Sequence, residues 1–262
     1  MSKADRLQRL FHPKSGRTLI VALDHGLTQG PLPGITNLTE TVKALLPGKP
    51  QGLLLNPGPM RRLLASPPWP TAGPRPALVL RLDYLGWVRQ WRPTKNEVRA
   101  IISTVEEALE LNCEAVILFL VLGTEYEAEN VAQVARVAAE CHAAGMPLIV
   151  EATAWYNGSS KADHTDPRNV TLIARMADEL GADLIKTNYT GKPESFHKVV
   201  TSVGVPVLAL GGSHTDDEEA MIEAARGAIA AGAVGLVYGR NVWQTCHPAA
   251  TLQALLKVTH ES

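Results

Sequence analysis

The stretch Gly181-Ala182-Asp183-Leu184-Ile185-Lys186-Thr187-Asn188-Tyr189-Thr190-Gly191 carries an amine where a buried strand is expected. Leu184 and Ile185 are apolar with no helical spacing around them, and the segment runs straight into Lys186. Burial disfavours the ammonium form, and a lysine in partly apolar surroundings is a nucleophile suited to forming a Schiff base with a carbonyl compound. A strand-end lysine that snorkels to solvent is the plainer reading of this stretch alone. Other residues reverse that choice. Gly211-Gly212 and Gly239-Arg240 each follow an apolar run, and glycine lets backbone N–H groups approach an anion while arginine adds a charged fork. Tyr156 can donate and accept a proton, and Asp24, beside His25, supplies a carboxylate.

The elements that must hold these residues alternate along the chain. Residues 1–16 read as a helical lead-in ending in a turn at His12-Pro13. Thr18 to Leu23 is an apolar run of strand length, apolar on both faces as in a parallel sheet covered by helices. Further strands are expected over 52–55, 77–82, 115–122, 147–152, 184–186, 205–210 and 234–238. Helices are expected between them, among them 97–111, 127–144, a helix capped by Asp166 with Pro167 at its first position, and 216–231. Eight strand–helix units in strict alternation predict a (β/α)8 TIM barrel forming one α/β domain over residues 1–262, with a short N-terminal helical extension. An open doubly wound sheet is the runner-up, but the glycine-rich fingerprint expected after its first strand is absent.

Composition narrows the partners. The formal net charge of -1 gives no basic excess for nucleic acid or an acidic membrane surface. No apolar run reaches the ~18 residues of a membrane span, and the charged N-terminus has no apolar signal core, so a soluble, cytoplasmic protein is expected. Cys113, Cys141 and Cys246 are far apart and show no metal-ligand spacing.

A barrel of this kind carries its site at the C-terminal ends of its strands. Those ends hold Asp24-His25, Asn56, Asp83, Glu125, Glu151 with Tyr156, Lys186, Gly211-Gly212 and Gly239-Arg240. The last two strands are the usual phosphate position. Lys186 would then face a phosphorylated carbonyl compound, with the imine as electron sink for making or breaking a C–C bond. Two rivals fare worse. A metal held by His25, His164 and His214 with Asp24 lacks any H-x-H or H-x-x-x-H pair. A glycoside-hydrolysing pair among Asp83, Glu125 and Glu151 fits poorly with so few aromatic platforms.

Three ordered motifs carry a family resemblance: Val21-Ala22-Leu23-Asp24-His25-Gly26 with Gly30-Pro31, the Lys186 stretch, and Gly239-Arg240-Asn241-Val242-Trp243-Gln244. From about residue 14 onward the chain resembles the archaeal-type class I fructose-bisphosphate aldolases. That family also holds 2-amino-3,7-dideoxy-hept-6-ulosonate synthases and the thiolase acting on phosphorylated autoinducer-2. The resemblance implies a TIM barrel with Lys186 as the Schiff-base lysine, and Gly211, Gly212, Gly239 and Arg240 at phosphate, with His25 beside them toward substrate. It puts Asp24 in the family's Asp-His-Gly motif. The aldolases' general-acid tyrosine precedes a Pro-Arg-Gly about thirty residues before the lysine. Tyr156 stands at that distance, followed by Asn157-Gly158. The family's Gly-Gly-Pro-Lys is Gly211-Gly212-Ser213-His214 here. Both departures remove a cation near the mouth and weigh against a second, distal phosphate. Ser15-Gly16, Gly123 to Glu127 and Cys246-His247-Pro248 are similar to the thiolase branch, which lacks the tyrosine.

The expectation is therefore a lysine-dependent aldolase working on a phosphorylated ketose with dihydroxyacetone phosphate as donor, with no metal and no organic cofactor. A thiolase or heptulosonate synthase-like transferase is the alternative. A barrel that binds phosphosugars without catalysis is the reading from a different class. Resemblance further implies homo-oligomeric rings of five or ten subunits, with Trp87, Trp91 and Trp243 as candidates for subunit contacts, core or site wall.

Overall fold

The computed structural model describes residues 1–65, 69–70, 75–86, 99–124, 126–154 and 164–261. Glu125, Tyr156, Trp87, Trp91 and Trp155 lie outside these described residues.

Eight parallel strands close on themselves. They are β1 (Thr18–Ala22), β2 (Gly52–Leu55), β3 (Ala77–Arg81), β6 (Ala115–Leu122), β7 (Leu148–Ala154), β8 (Leu184–Asn188), β9 (Val207–Leu210) and β10 (Gly235–Tyr238). Around the barrel they run β1-β10-β9-β8-β7-β6-β3-β2. This is the (β/α)8 barrel that the alternation implies. A two-stranded antiparallel sheet, β4 (Asp83–Leu85) with β5 (Arg99–Ile101), stands apart from it.

Helices cover the outside. In chain order they are α1 (Lys3–Leu10), α2 (Gly26–Gln29), α3 (Leu38–Leu45), α4 (Pro57–Leu64), α5 (Val105–Glu110) and α6 (Glu127–Ala144). They continue as α7 (Pro167–Glu179), α8 (Pro193–Thr201), α9 (Glu218–Ala230), α10 (Arg240–Trp243) and α11 (Pro248–Glu261). Their limits follow local chemistry. Asn37 accepts the Glu40 N–H, Asp166 accepts the Arg168 N–H beside Pro167, and Gly145 closes α6 at φ 63°.

Alternation along each strand divides the core. Leu19, Val21, Leu53, Leu55, Leu78, Leu80, Val150 and Ile185 pack outward beneath the helices. Ile20, Leu54, Val79, Ile117, Ile149, Leu184, Leu208 and Val237 fill the barrel interior. Leu10 of α1, fully buried, joins the interior set from below, so the N-terminal helix plugs the barrel floor. Lys3 pairs with Asp183 at 2.7 Å and Arg9 with the buried Glu114 at 2.9 Å, tying α1 to that floor. The same two-residue period, carried upward, turns Arg81, Glu151 and Lys186 inward at the opposite end.

The structure differs from the periodic pattern over 97–111. Arg99–Ile101 is a strand against β4, with the Ile102 N–H bonded to the Leu82 carbonyl at 2.8 Å, and the helix starts only at Val105. Thr104 sets that start by accepting the Glu107 N–H at 3.1 Å. The β-branched Ile101, Ile102 and Thr104 suit an extended backbone, and pairing with β4 outweighs the clear helical spacing of the apolar residues. The strands carrying Glu151 and Lys186 also run two residues past their expected ends, because Thr187 donates to the Ala152 carbonyl at 2.8 Å and keeps them paired.

Candidate active site

Lys186 and Glu151 are register partners on β8 and β7. Neighbouring parallel strands present register partners on one face, roughly 4.8 Å apart. Here that face is the barrel interior, and Lys186 Nζ lies 2.6 Å from Glu151 Oε1. Both side chains are nearly buried, at 7% and 10% exposed. The second oxygen, Glu151 Oε2, accepts from the Arg81 guanidinium.

Arg81 is the hub of the interior. It donates to Asp24 Oδ2 through Nε at 3.0 Å and through NH2 at 2.8 Å, and reaches Asp83 Oδ1 at 3.4 Å. Its guanidinium lies 4.2 Å from the Phe119 ring centroid. Asp83 Oδ2 also accepts the Phe119 N–H at 2.8 Å. The charged set therefore draws on the turn after β1 and on β3, β4, β7 and β8, in one layer at the mouth of the barrel. Asp83 and Glu151 are bridged by one cation rather than facing across an open cleft, which does not suit paired-carboxylate glycoside hydrolysis.

The four acids and bases are tuned differently. Burial pushes the Asp24 carboxyl up, but Arg81, then His25 and Lys186, outweigh it and hold it at about 2. Burial dominates at Asp83 and raises it to about 6 against Arg81 and the Phe119 N–H. Burial also opposes ionisation of Glu151, yet Lys186 and Arg81 together hold it below the ordinary carboxylate range. His25 is lowered to about 4, first by burial, with Asp24 opposing and Arg240 and Lys186 reinforcing, so its imidazole is neutral at pH 7.

Strands β9 and β10 supply the glycine turns. Gly212 has φ 69°, a left-handed conformation that favours glycine. A Cβ on Gly239 would stand 2.6 Å from His25 Cε1 and 2.8 Å from the Ala22 carbonyl oxygen, so only glycine fits there. Asn241, buried at the start of α10, clamps the two turns together. Its Nδ2 donates to the Gly211 carbonyl at 2.7 Å and the Ser213 carbonyl at 3.0 Å, and its Oδ1 accepts the Thr215 N–H at 2.9 Å. Arg240 donates to the Gly212 carbonyl at 3.1 Å and pairs with no carboxylate among the described residues. Among the described residues its Nε is buried without a hydrogen-bond partner, and burial lowers its pKa.

Lys186, Asp24, His25, Gly211, Gly212, Gly239 and Arg240 thus gather at one end of the barrel, and Tyr156 lies outside the described residues. Arg81 and Asn241 are functional candidates to which sequence reading gives no role, although Asn241 stands inside the third motif. The signal for Arg81 is its place as the one charge inside Ala77-Leu78-Val79-Leu80-Arg81-Leu82. Trp243 is buried and donates to the Ala22 carbonyl at 2.9 Å, which makes it a wall behind His25 rather than a subunit contact.

A cavity of about 880 Å3 opens beside this layer, lined by Leu23, Leu27, Ile35, Asn56, Arg62 and Ile102 among others. Neither Lys186 nor Glu151 lines it, and it meets the charged layer through Asn56, which donates to the Asp24 carbonyl at 2.7 Å. Among the described residues no group of three or more His, Cys, Asp or Glu side chains is placed to hold a metal ion. No helix among them is long and apolar enough to cross a membrane.

A closed barrel with a buried lysine on its sixth strand and glycine turns on its last two defines a class I aldolase-like protein. The chain belongs to the DeoC/LacD aldolase family, whose description matches residues 18–245. A 2-amino-4,5-dihydroxy-6-oxo-7-(phosphonooxy)heptanoate synthase of Streptomyces griseus is 34% identical over 257 residues, covering 98% of this chain and 90% of that protein. A 3-hydroxy-5-phosphonooxypentane-2,4-dione thiolase of Klebsiella pneumoniae is 33% identical over 257 residues, covering 98% and 81%. Among solved structures, an archaeal fructose-1,6-bisphosphate aldolase has its catalytic lysine covalently bound to the carbinolamine intermediate of its substrate. It superposes with a TM-score of 0.84 at 27% identity, covering 98% of this chain and 99% of that one.

Proposed function

We propose that this protein is a Schiff-base aldolase that uses Lys186 to make or break a C–C bond in a phosphorylated ketose, with dihydroxyacetone phosphate as the donor. The observation that carries the reading is the buried Lys186 Nζ, 2.6 Å from a carboxylate, below a mouth whose last two strand ends carry glycine turns and the carboxylate-free Arg240. In this reading the amine attacks the ketone and the imine withdraws electrons from the adjacent C–C bond. Arg240 and the backbone N–H groups around Gly211, Gly212 and Gly239 hold the phosphate. Asp24, fixed by Arg81, assists carbinolamine formation and orients the hydroxyl groups from across the mouth, with neutral His25 beside the phosphate. Tyr156 relays the proton between hydroxyl and α-carbon.

The relatives support the donor. The compounds in these three names share one fragment, a ketone between a phosphorylated carbon and a hydroxyl-bearing carbon, whereas the 7-deoxy product named for a 31% identical Halobacterium salinarum synthase carries no phosphate there. That fragment is dihydroxyacetone phosphate, and the remainder differs in each. The common part fits the part of the site built from β8, β9 and β10.

Incubation with dihydroxyacetone phosphate and sodium borohydride, followed by intact mass and peptide mapping, tests the reading. The expected result is one reduced adduct on Lys186, absent from Lys186→Met, together with loss of all turnover in that variant. A folded wild-type protein that gives no adduct would sink the proposal and favour a binding role. Product formation that depends on an added thiol such as coenzyme A would move it to a thiolase.

A further inference from the structure

We propose that Asn188 selects a hydroxylated donor: its amide, set by Thr153, hydrogen-bonds the hydroxyl on the donor carbon that enters the new C–C bond. This rests on the Schiff-base reading above and names what the site requires of the donor besides its phosphate.

Thr153 and Asn188 form the layer above the charged one. They stand two residues beyond Glu151 on β7 and Lys186 on β8, so strand alternation points them to the same interior face. At roughly 3.3 Å of rise per residue they lie about 7 Å nearer the mouth. Thr153 is 8% exposed, and Asn188 is half-buried. Thr153 Oγ1 donates to Asn188 Oδ1 at 3.3 Å. The amide oxygen is thereby turned toward β7, and Nδ2 faces away from Thr153. No acceptor among the described residues takes the Nδ2 hydrogens. On the β9 side Asn188 is in register with Leu210, whose side chain offers no competing polar group. A half-buried amide with free N–H groups above the lysine is a ready partner for a substrate oxygen.

The shape of the donor says which oxygen. Its ketone carbon is pinned by Lys186 on β8, and its phosphate lies at the turns after β9 and β10. The strands run β10-β9-β8-β7 around the barrel. A ketone carbon bears two carbon arms, so with the phosphate arm directed to β9 and β10 the other points back toward β7. In dihydroxyacetone phosphate that second arm is the hydroxymethyl carbon, the one that bonds the acceptor. Its oxygen comes to the Thr153–Asn188 pair, where it accepts from Asn188 Nδ2, and its own hydrogen is left for Asp24 across the mouth. A donor with a methyl group in that place leaves the amide unpaired. That mismatch is how a hydrogen-bonding site rejects an analogue without the hydroxyl.

The test compares borohydride trapping on Lys186 of dihydroxyacetone phosphate and of hydroxyacetone phosphate, which keeps the ketone and the phosphate but has a methyl group for the hydroxymethyl. The readout is the ratio of trapping rates per unit donor concentration, which cancels changes in folded fraction and in any step common to both donors. Wild type should favour the hydroxylated donor, and Asn188→Leu should lower the ratio by about 10-fold or more. Asn188→Ala replaces the leucine variant if that one does not fold. Thr153 acts through Asn188 and is a positioning residue. Thr153→Val should lower the ratio part of the way, and Thr153→Ser, which keeps the hydroxyl, should preserve it. Wild type that traps both donors equally overturns the proposal, and so does a folded Asn188→Leu with the wild-type ratio. An unchanged ratio in Thr153→Val overturns the role given to Thr153. Adducts with both donors and no preference leave the Schiff-base reading standing, whereas no adduct with either donor overturns that reading and this selection with it.

Discussion

Arg81 holds three carboxylates, and its unequal contacts decide which of them keeps its charge at low pH. Asp24 receives two N–H groups and stays ionised down to about 2, whereas Asp83, at 3.4 Å from the same guanidinium, is carried by burial up to about 6. The two therefore act on stability in opposite senses. The folded value of Asp83 lies above its ordinary 3.8, so its contribution is fully present below about pH 4 and is lost as pH rises through 6. The folded value of Asp24 lies below 3.8, so its contribution is present above about pH 4 and is lost as pH falls through 2. Asp83→Asn removes the first dependence. Urea unfolding of wild type and Asp83→Asn at pH 4, 5, 6 and 7 should show the wild type losing ground to the variant by roughly 1–3 kcal/mol between pH 4 and 6. A constant difference across that range would mean that Asp83 does not titrate there. At this scale the sequence announced Lys186, Asp24 and the glycine pairs, because each sits in a local pattern of strand end and turn. It did not announce Arg81 as their organiser, because a charge inside a strand declares only that something must pair with it, not which distant groups do.

Strands and turns convert those residues into a site. The pairing of Glu151 with Lys186 is a property of register: a slip of one residue between β7 and β8 would turn one of them out of the barrel. Register cannot be read along one chain, so the two strands were legible while the contact between them was not. The hairpin of β4 and β5 escaped for a related reason. Its apolar residues happen to fall at helical spacing, and only pairing with β4 reveals the extended backbone. The turn after β10 shows what an element must permit. Gly239 brings the backbone against His25 and the Ala22 carbonyl, with less than 3.0 Å to spare for any Cβ. Gly239→Ala should therefore push the Arg240 turn outward. Because the contact includes backbone, relief requires the turn to move. The expected effect is a KM for the phosphorylated donor raised about 10-fold or more, since about 1.4 kcal/mol of lost binding is tenfold. Adduct formation at saturating donor should change far less. An unchanged KM would place the phosphate elsewhere than the β9 and β10 turns.

The whole barrel separates holding from doing. Its mouth carries charge, glycine and the buried lysine, and its floor carries aliphatic packing closed by α1. The eight strand–helix alternations made that architecture legible, since a both-face apolar strand repeated eight times has few other ways to bury itself. The plug was less legible. Residues 1–16 read as a helix, but that its Leu10 would reach the layer of Ile20, Leu54, Val79 and Leu184 depends on the barrel being closed above it. A large cavity-forming change at the floor should therefore act on stability alone. Leu10 is fully buried, and Leu10→Ala is expected to cost about 2–5 kcal/mol, read as a lower urea midpoint with an unchanged slope. At urea concentrations where the variant is still folded, its borohydride-trapped adduct on Lys186 should form at the wild-type rate. The floor touches Lys186 only through an intervening aliphatic layer that includes Leu184, two residues below it on the same strand. A loss of trapping that exceeds the loss of folded protein would show that the plug positions the lysine as well as closing the barrel.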